Sequence, residues 1–125
     1  MTFPSPAAVL RHRPPALLLG SIGTLDAGSI RCRGVDGNGW PWPRVLEAAA
    51  QAAGLLVGTR PDGIGNRAVV AEYRDVVIHV AEVPGPVDVV ASIDRRVLGY
   101  WRCRFAAYAA DRLLLEGRVT LAPPG

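Results

Sequence analysis

Leu46-Glu-Ala-Ala-Ala-Gln-Ala-Ala-Gly-Leu-Leu56 is the stretch on which the fold turns. Alanine, leucine, glutamate and glutamine are all good helix formers, because they lose little side-chain freedom in a helical backbone. The segment Arg44 to Val57 holds no proline and no run of β-branched residues. Pro43 falls near the first turn, where a missing N–H does no harm, and Gly58 supplies a stop. The spacing therefore predicts a helix that begins within Trp40-Pro-Trp-Pro43 and runs through Val57, apolar on almost every side, which needs a wrapping rather than one flat neighbour.

The rest of the chain supplies that wrapping. Residues 1–8 read as a loose lead-in, and residues 9–25 as an extended segment opened by Pro14 and Pro15 and carrying Ala16-Leu-Leu-Leu19. Ser29 to Val35 sets Ile30, Cys32 and Gly34 against Arg31, Arg33 and Val35, the period of a half-buried strand. Ala68 to Val83 is a long apolar stretch interrupted by Glu72, Arg74, Asp75 and His79, and Pro84-Gly-Pro86 reads as a turn. Three alternating runs follow, over 87–93, 97–107 and 112–121, joined by short connections. Such a succession predicts an antiparallel meander. The fold class expected is α+β, an antiparallel β-sheet wrapped around one long central helix, with 1–125 forming a single domain. Alanines at 48, 49, 50, 52 and 53 let strands approach the helix closely. Alternation further predicts Trp101, Cys103 and Phe105 facing inward, and Arg31, Arg33, Arg102 and Arg104 turned away from the helix.

The 125 residues suffice for a hydrophobic core without metals or disulfides. Half are hydrophobic and a fifth charged, a balance that suits a subunit hiding part of its surface in an oligomer. The net charge is +3, and all the positive side chains are arginine. No basic run or aromatic-plus-basic pattern is present, which argues against nucleic acid. Cys32 and Cys103 lie far apart without ligand spacing, so neither a zinc site nor a disulfide is expected. The short apolar run Ala16 to Leu19 fits neither a signal segment nor a membrane span. A cytoplasmic protein is the expectation.

Two polar side chains interrupt the apolar helix, Glu47 and Gln51, four residues apart and so on one face. Arg44, Glu47, Gln51 and Gly54 recur at helical spacing and could form a solvent-facing stripe. The same pair could instead place a carboxylate in an apolar pocket, where desolvation favours the protonated form and general-acid chemistry near neutral pH. Both readings stay open on the residues alone.

His12-Arg-Pro-Pro-Ala-Leu-Leu-Leu19 resembles the opening H-R-x-P-x-L-L-L motif of the β-hydroxyacyl-acyl-carrier-protein dehydratases. The helix stretch Leu46 to Leu56 resembles their central L-E-A-x-A-Q-A-A-G-x-L. Pro84-Gly-Pro-Val-Asp88, Arg95-Arg96 and Asp111-Arg-Leu-Leu-Leu-Glu-Gly117 fall in order at compatible spacing, so the resemblance runs from about residue 10 to 121. It implies a hotdog fold that pairs into dimers with shared active sites and uses no cofactor and no metal. The substrate would be a 3-hydroxyacyl thioester on the phosphopantetheine arm of an acyl carrier protein. A histidine would take the α-proton, and a helix carboxylate would protonate the departing hydroxyl.

By residue match the carboxylate is Glu47, with Gln51 beside it toward the substrate. The histidine that the fatty-acid enzymes carry in an H-F-P-G loop has no counterpart, since Gly34 to Pro43 offers only Asp36 and Asn38 as polar side chains. A branch associated with aryl-polyene pigment pathways likewise lacks it while keeping the first-motif histidine, and this sequence resembles that branch more. His12 is therefore the candidate base, with a backbone-bonding structural role as its alternative. His79, among valines, reads as a satisfied core or interface histidine. Trp40 and Trp42 flank the helix start, as core or dimer contacts or as the lining of an acyl tunnel. Three functions remain: dehydratase, thioesterase on the same fold, or a non-catalytic subunit pairing with an active homologue. The partners implied are a carrier protein and a second hotdog subunit, identical or related.

Overall fold

An alanine-rich helix buries little area per residue, so it is stable only when enclosed. In the computed structural model, which describes residues 3–10, 17–35, 39–61, 68–83 and 85–123, α2 spans Trp42–Gly58 and is enclosed on most sides. Ala48, Ala49, Ala52, Ala53, Leu55, Leu56 and Val57 have no exposed surface. Burying each leucine or valine here contributes about 1.5–3 kcal/mol. The alanines contribute less, but they let the sheet come close. The helix starts at Trp42, within the expected Trp40-Pro-Trp-Pro43, with Pro41 as N-cap and Pro43 within the first turn. Gly58 is its last residue rather than a left-handed cap. Thr59 closes it, its N–H donating to the Leu55 carbonyl at 3.0 Å and its hydroxyl to the Leu56 carbonyl at 2.9 Å.

The enclosing sheet has six strands. β1 (Leu19–Leu25), β2 (Ser29–Gly34), β4 (Val69–Ile78), β6 (Asp88–Val97), β7 (Tyr100–Ala109) and β8 (Arg112–Ala122) lie in the order β1-β2-β6-β7-β8-β4, every pairing antiparallel. A helical turn α1 (Pro6–Val9) precedes them, and a two-residue pair, β3 (Trp40–Pro41) with β5 (Glu82–Val83), stands apart. The expected meander is β6-β7-β8. Its first turn places Leu98 and Gly99 both at positive φ, 51° and 86°. That twist matches the strands it joins.

The alternation holds. Ile30, Cys32, Val89, Ala91, Trp101, Cys103, Phe105 and Ala107 are buried, while Arg31, Arg33, Arg102 and Arg104 are exposed. In β8 it slips: Leu114 and Leu115 are both buried, and the β7 pairing passes from Ala107↔Leu115 to Tyr108↔Leu113. The unpaired Leu114 carbonyl accepts the N–H groups of His79 and Val80, at 2.9 and 3.2 Å.

Those bonds also explain why 68–83 is not one strand. The chain peels off at Ile78, spends the next donors on β8, and returns as β5 against β3. There the Trp42 N–H donates to the Ala81 carbonyl at 2.9 Å and anchors the helix start. Within 9–25, only 19–25 is strand; the stretch 11–16 lies outside the described residues.

Gly117 lets Phe105 lie across β8. A Cβ there would sit 2.9 Å from Phe105 Cζ and 3.1 Å from the Val76 Cα, and the latter is backbone and cannot swing aside. Gly117→Ala is expected to cost about 1–3 kcal/mol by overpacking. Gly23→Ala, whose Cβ would meet nothing nearer than 3.5 Å, should change stability little. Urea unfolding of both variants tests the pair; equal midpoints would contradict this packing.

Candidate functional site

The helix that organises the core also carries its one buried polar side chain among the described residues, Gln51, 2% exposed. A buried amide costs free energy unless its groups are paired. Gln51 Oε1 accepts the Leu18 N–H at 2.8 Å, and Nε2 donates to Glu47 Oε1 at 3.4 Å. The Leu18 carbonyl in turn accepts the Val35 N–H at 2.7 Å. One amide thus ties the helix to the chain entering β1 and stands next to the Glu47 carboxylate. The solvent-stripe reading fails at Gln51, which faces protein.

Glu47 itself is exposed on the single chain. It lies under the free sheet edge: Tyr73, on the outermost strand β4, has its phenol pKa raised, first by burial and then by the negative charge of Glu47. Sequence reasoning missed Tyr73. Period-2 counting through β4 would have flagged it as inward, but the strand is irregular, with register shifts at Val70/Glu72 and Arg74/Val77 and Asp75 at φ 56°.

The two tryptophans part company. Trp40 has no exposed surface and rests on Gly34, where a Cβ would stand 2.9 Å from its ring. The Arg44 guanidinium lies 4.3 Å from the centre of that ring, a cation–π contact. Trp42, at the first helical position, is 38% exposed. The structure thus brings Glu47, Gln51 and the Leu17–Leu19 entry together, with Trp40 in the core. His12, Asp36 and Asn38 lie outside the described residues. His79 is not in the core; its Nε2 pairs at the surface with Glu116 Oε2 at 2.9 Å.

Cys32 and Cys103 are free and buried, and burial pushes both thiols up to about 12. A thiol so poised is not a nucleophile near neutral pH. No group of metal-ligating side chains is found among the described residues, and no helix among them is long and apolar enough to cross a membrane.

Neither protein-family models nor curated protein sequences match the chain. Solved structures do. A chain of the ApeI:P dehydratase heterocomplex from Xenorhabdus doucetiae superposes with a TM-score of 0.85 at 16% identity, covering 99% of this chain and 93% of that one. A Helicobacter felis protein gives 0.74 at 12% identity over 98% and 92%. A candidate thioesterase related to phenylacetic acid degradation, from Ralstonia eutropha, gives 0.68 at 15% over 81% and 82%. The fold is the hotdog fold.

Gln51→Leu keeps the volume but orphans the buried Leu18 N–H, which should cost about 1–3 kcal/mol. Gln51→Glu retains an acceptor for that N–H while placing a second carboxylate against Glu47. Unfolding free energies by denaturant are the check; a neutral Gln51→Leu would show that the clamp contributes nothing.

Proposed function

We propose that this chain is a cytoplasmic subunit of a 3-hydroxyacyl-thioester dehydratase acting on acyl chains carried by an acyl carrier protein. The observation that supports this best is the helix carboxylate Glu47, oriented by buried Gln51 and set beneath the sheet edge beside Tyr73. In the reaction a base removes the proton at C2 of the thioester, the C2–C3 double bond forms, and the C3 hydroxyl leaves as water after taking a proton from an acid. Glu47 is the acid. His12 is the base, five residues before Leu17, a span of at most about 18 Å of extended chain. Gln51 holds the carboxylate in place, and Trp42 borders the acyl chain. Trp40 fixes the helix start.

A lone subunit leaves this site open. Val69, Val70, Val77 and Ile78 are exposed on β4, whose outer edge has no neighbour in the sheet. An apolar unpaired edge invites another strand. Pairing along β4 with a second hotdog subunit, identical or related, covers both the edge and Glu47. Light scattering is expected to find a dimer, of the chain alone or with a homologue. Val70→Asp together with Val77→Asp should shift it toward monomer.

A second reading has an observation of its own. The segment 34–43 holds no histidine, and a structural neighbour is a chain of a dehydratase heterocomplex. A subunit that completes an active partner without performing chemistry would fit both. Incubation with a 3-hydroxyacyl carrier protein, followed by intact mass, separates the readings. On the first, one water is lost, and Glu47→Gln lowers the rate about a hundred- to ten-thousand-fold with the fold intact, as does His12→Ala. Full activity in Glu47→Gln overturns the mechanism. Inert protein that is stabilised by a related subunit supports the partner reading, and release of the free acid would instead indicate a thioesterase.

A further inference from the structure

The outer face of the sheet, away from the helix, carries charge in an arrangement that solvation alone does not account for. Arg74 on β4 stands directly opposite Arg118 on β8, and Arg118 directly opposite Arg104 on β7. Two residues along, Arg95 on β6 stands opposite Arg102 on β7. Like charges directly across from one another destabilise a sheet. Two carboxylates are within reach, and each is already engaged: Glu72 with Arg74 at 2.8 Å, and Asp94 with Arg104 at 3.4 Å. Among the described residues no carboxylate pairs with Arg95, Arg102 or Arg118.

These side chains surround a hollow of about 120 Å³ lined by Arg74, Arg95, Arg102 and Arg118, with Glu72 and Asp94 also on its wall. The hydroxyl-bearing Thr120 lines it too, opposite both Arg102 and Glu72. We propose that this hollow is a binding site for a compact oxyanion of the phosphate class, a soluble phosphate ester or pyrophosphate. Four arginines line it from four strands, β4, β6, β7 and β8, and a guanidinium fork suits bidentate pairing with oxygen. A phosphoryl group presents at least three acceptor oxygens to such a ring of donors, whereas a carboxylate presents two. The two carboxylates on the wall disfavour a broad acidic protein surface yet leave room for a small anion. The site is separate from the candidate catalytic one, for along β4 the side chain of Tyr73 turns toward Glu47 while Glu72 and Arg74 line the hollow.

Calorimetric titration of the purified protein with inorganic pyrophosphate, at an ionic strength held constant with sodium chloride, tests the site apart from simple screening. Thermal unfolding is followed in parallel. Wild-type protein should bind saturably and melt higher with pyrophosphate than with chloride. Arg118→Gln should melt higher than wild type without ligand, since the like-charge row is broken. It should also bind at least about tenfold more weakly, the loss expected for one hydrogen bond to a charged group. Arg102→Gln should weaken binding similarly, and Arg112→Gln, outside the hollow, should not. The proposal is overturned by an absence of saturable binding above the chloride control, by wild-type affinity in both hollow variants, or by binding of an acidic protein without any response to pyrophosphate. None of these outcomes depends on dehydratase activity, so the two readings fail independently.

Discussion

A helix with almost no polar face can exist in water only if its surroundings replace water everywhere. A single flat sheet covers one side. A strongly curled antiparallel sheet covers several while pairing its own backbone groups, and that constraint dictates the rest of the molecule. It explains the alanines on α2, which bring the strands close. The glycines at 34 and 117 have the same origin, for there aromatic rings cross where a side chain would otherwise stand. The β6 and β8 irregularities, where register shifts bend the sheet, belong to it as well.

Much of this was legible in the residues. Inward and outward positions on β2, β6 and β7 follow from period-2 alternation because each strand has one dry face and one wet face. The helix follows from composition, and the meander from alternating runs joined by short connections. What was not legible depends on long-range pairing. The break after Ile78 arises because the Leu114 carbonyl, left over by a bulge in a strand 36 residues later, captures the backbone there. No pattern inside 68–83 announces that. The helix start, by contrast, was legible from Trp40-Pro-Trp-Pro43, and the Ala81 carbonyl anchors it there.

The candidate site was half legible. A carboxylate and an amide four apart on an apolar helix mark one face, but the spacing fits a wet stripe as well as a working pair. The Leu18 N–H decides between them, since it makes Gln51 a buried strut, and a partner 33 positions away cannot be seen in a helical wheel. Tyr73 escaped because the bulge at Asp75 spoils the alternation that would have turned it inward. Trp42 and Trp40, twins in the sequence, are separated by one turn of geometry: the first residue of the helix faces outward, and the residue pairing with β5 faces the core.

A carboxyl group can serve as a proton donor near neutral pH only where its charged form is poorly solvated. On the single chain Glu47 is exposed, while the strand beside it presents unpaired backbone and exposed valines. These two deficiencies lie in one place. On the proposed reading a subunit pairing with β4 removes water from Glu47 as it satisfies the edge, so assembly and chemistry are a single requirement. This also bears on the choice between an active subunit and a silent one. Gln51 keeps Glu47 oriented whether or not a base is present, because its first duty is to the Leu18 N–H. A chain that lost catalysis would therefore still keep Gln51 for the sake of the core. On the proposed reading the decisive group is the base, supplied either by His12 on this chain or by a second subunit across the β4 edge.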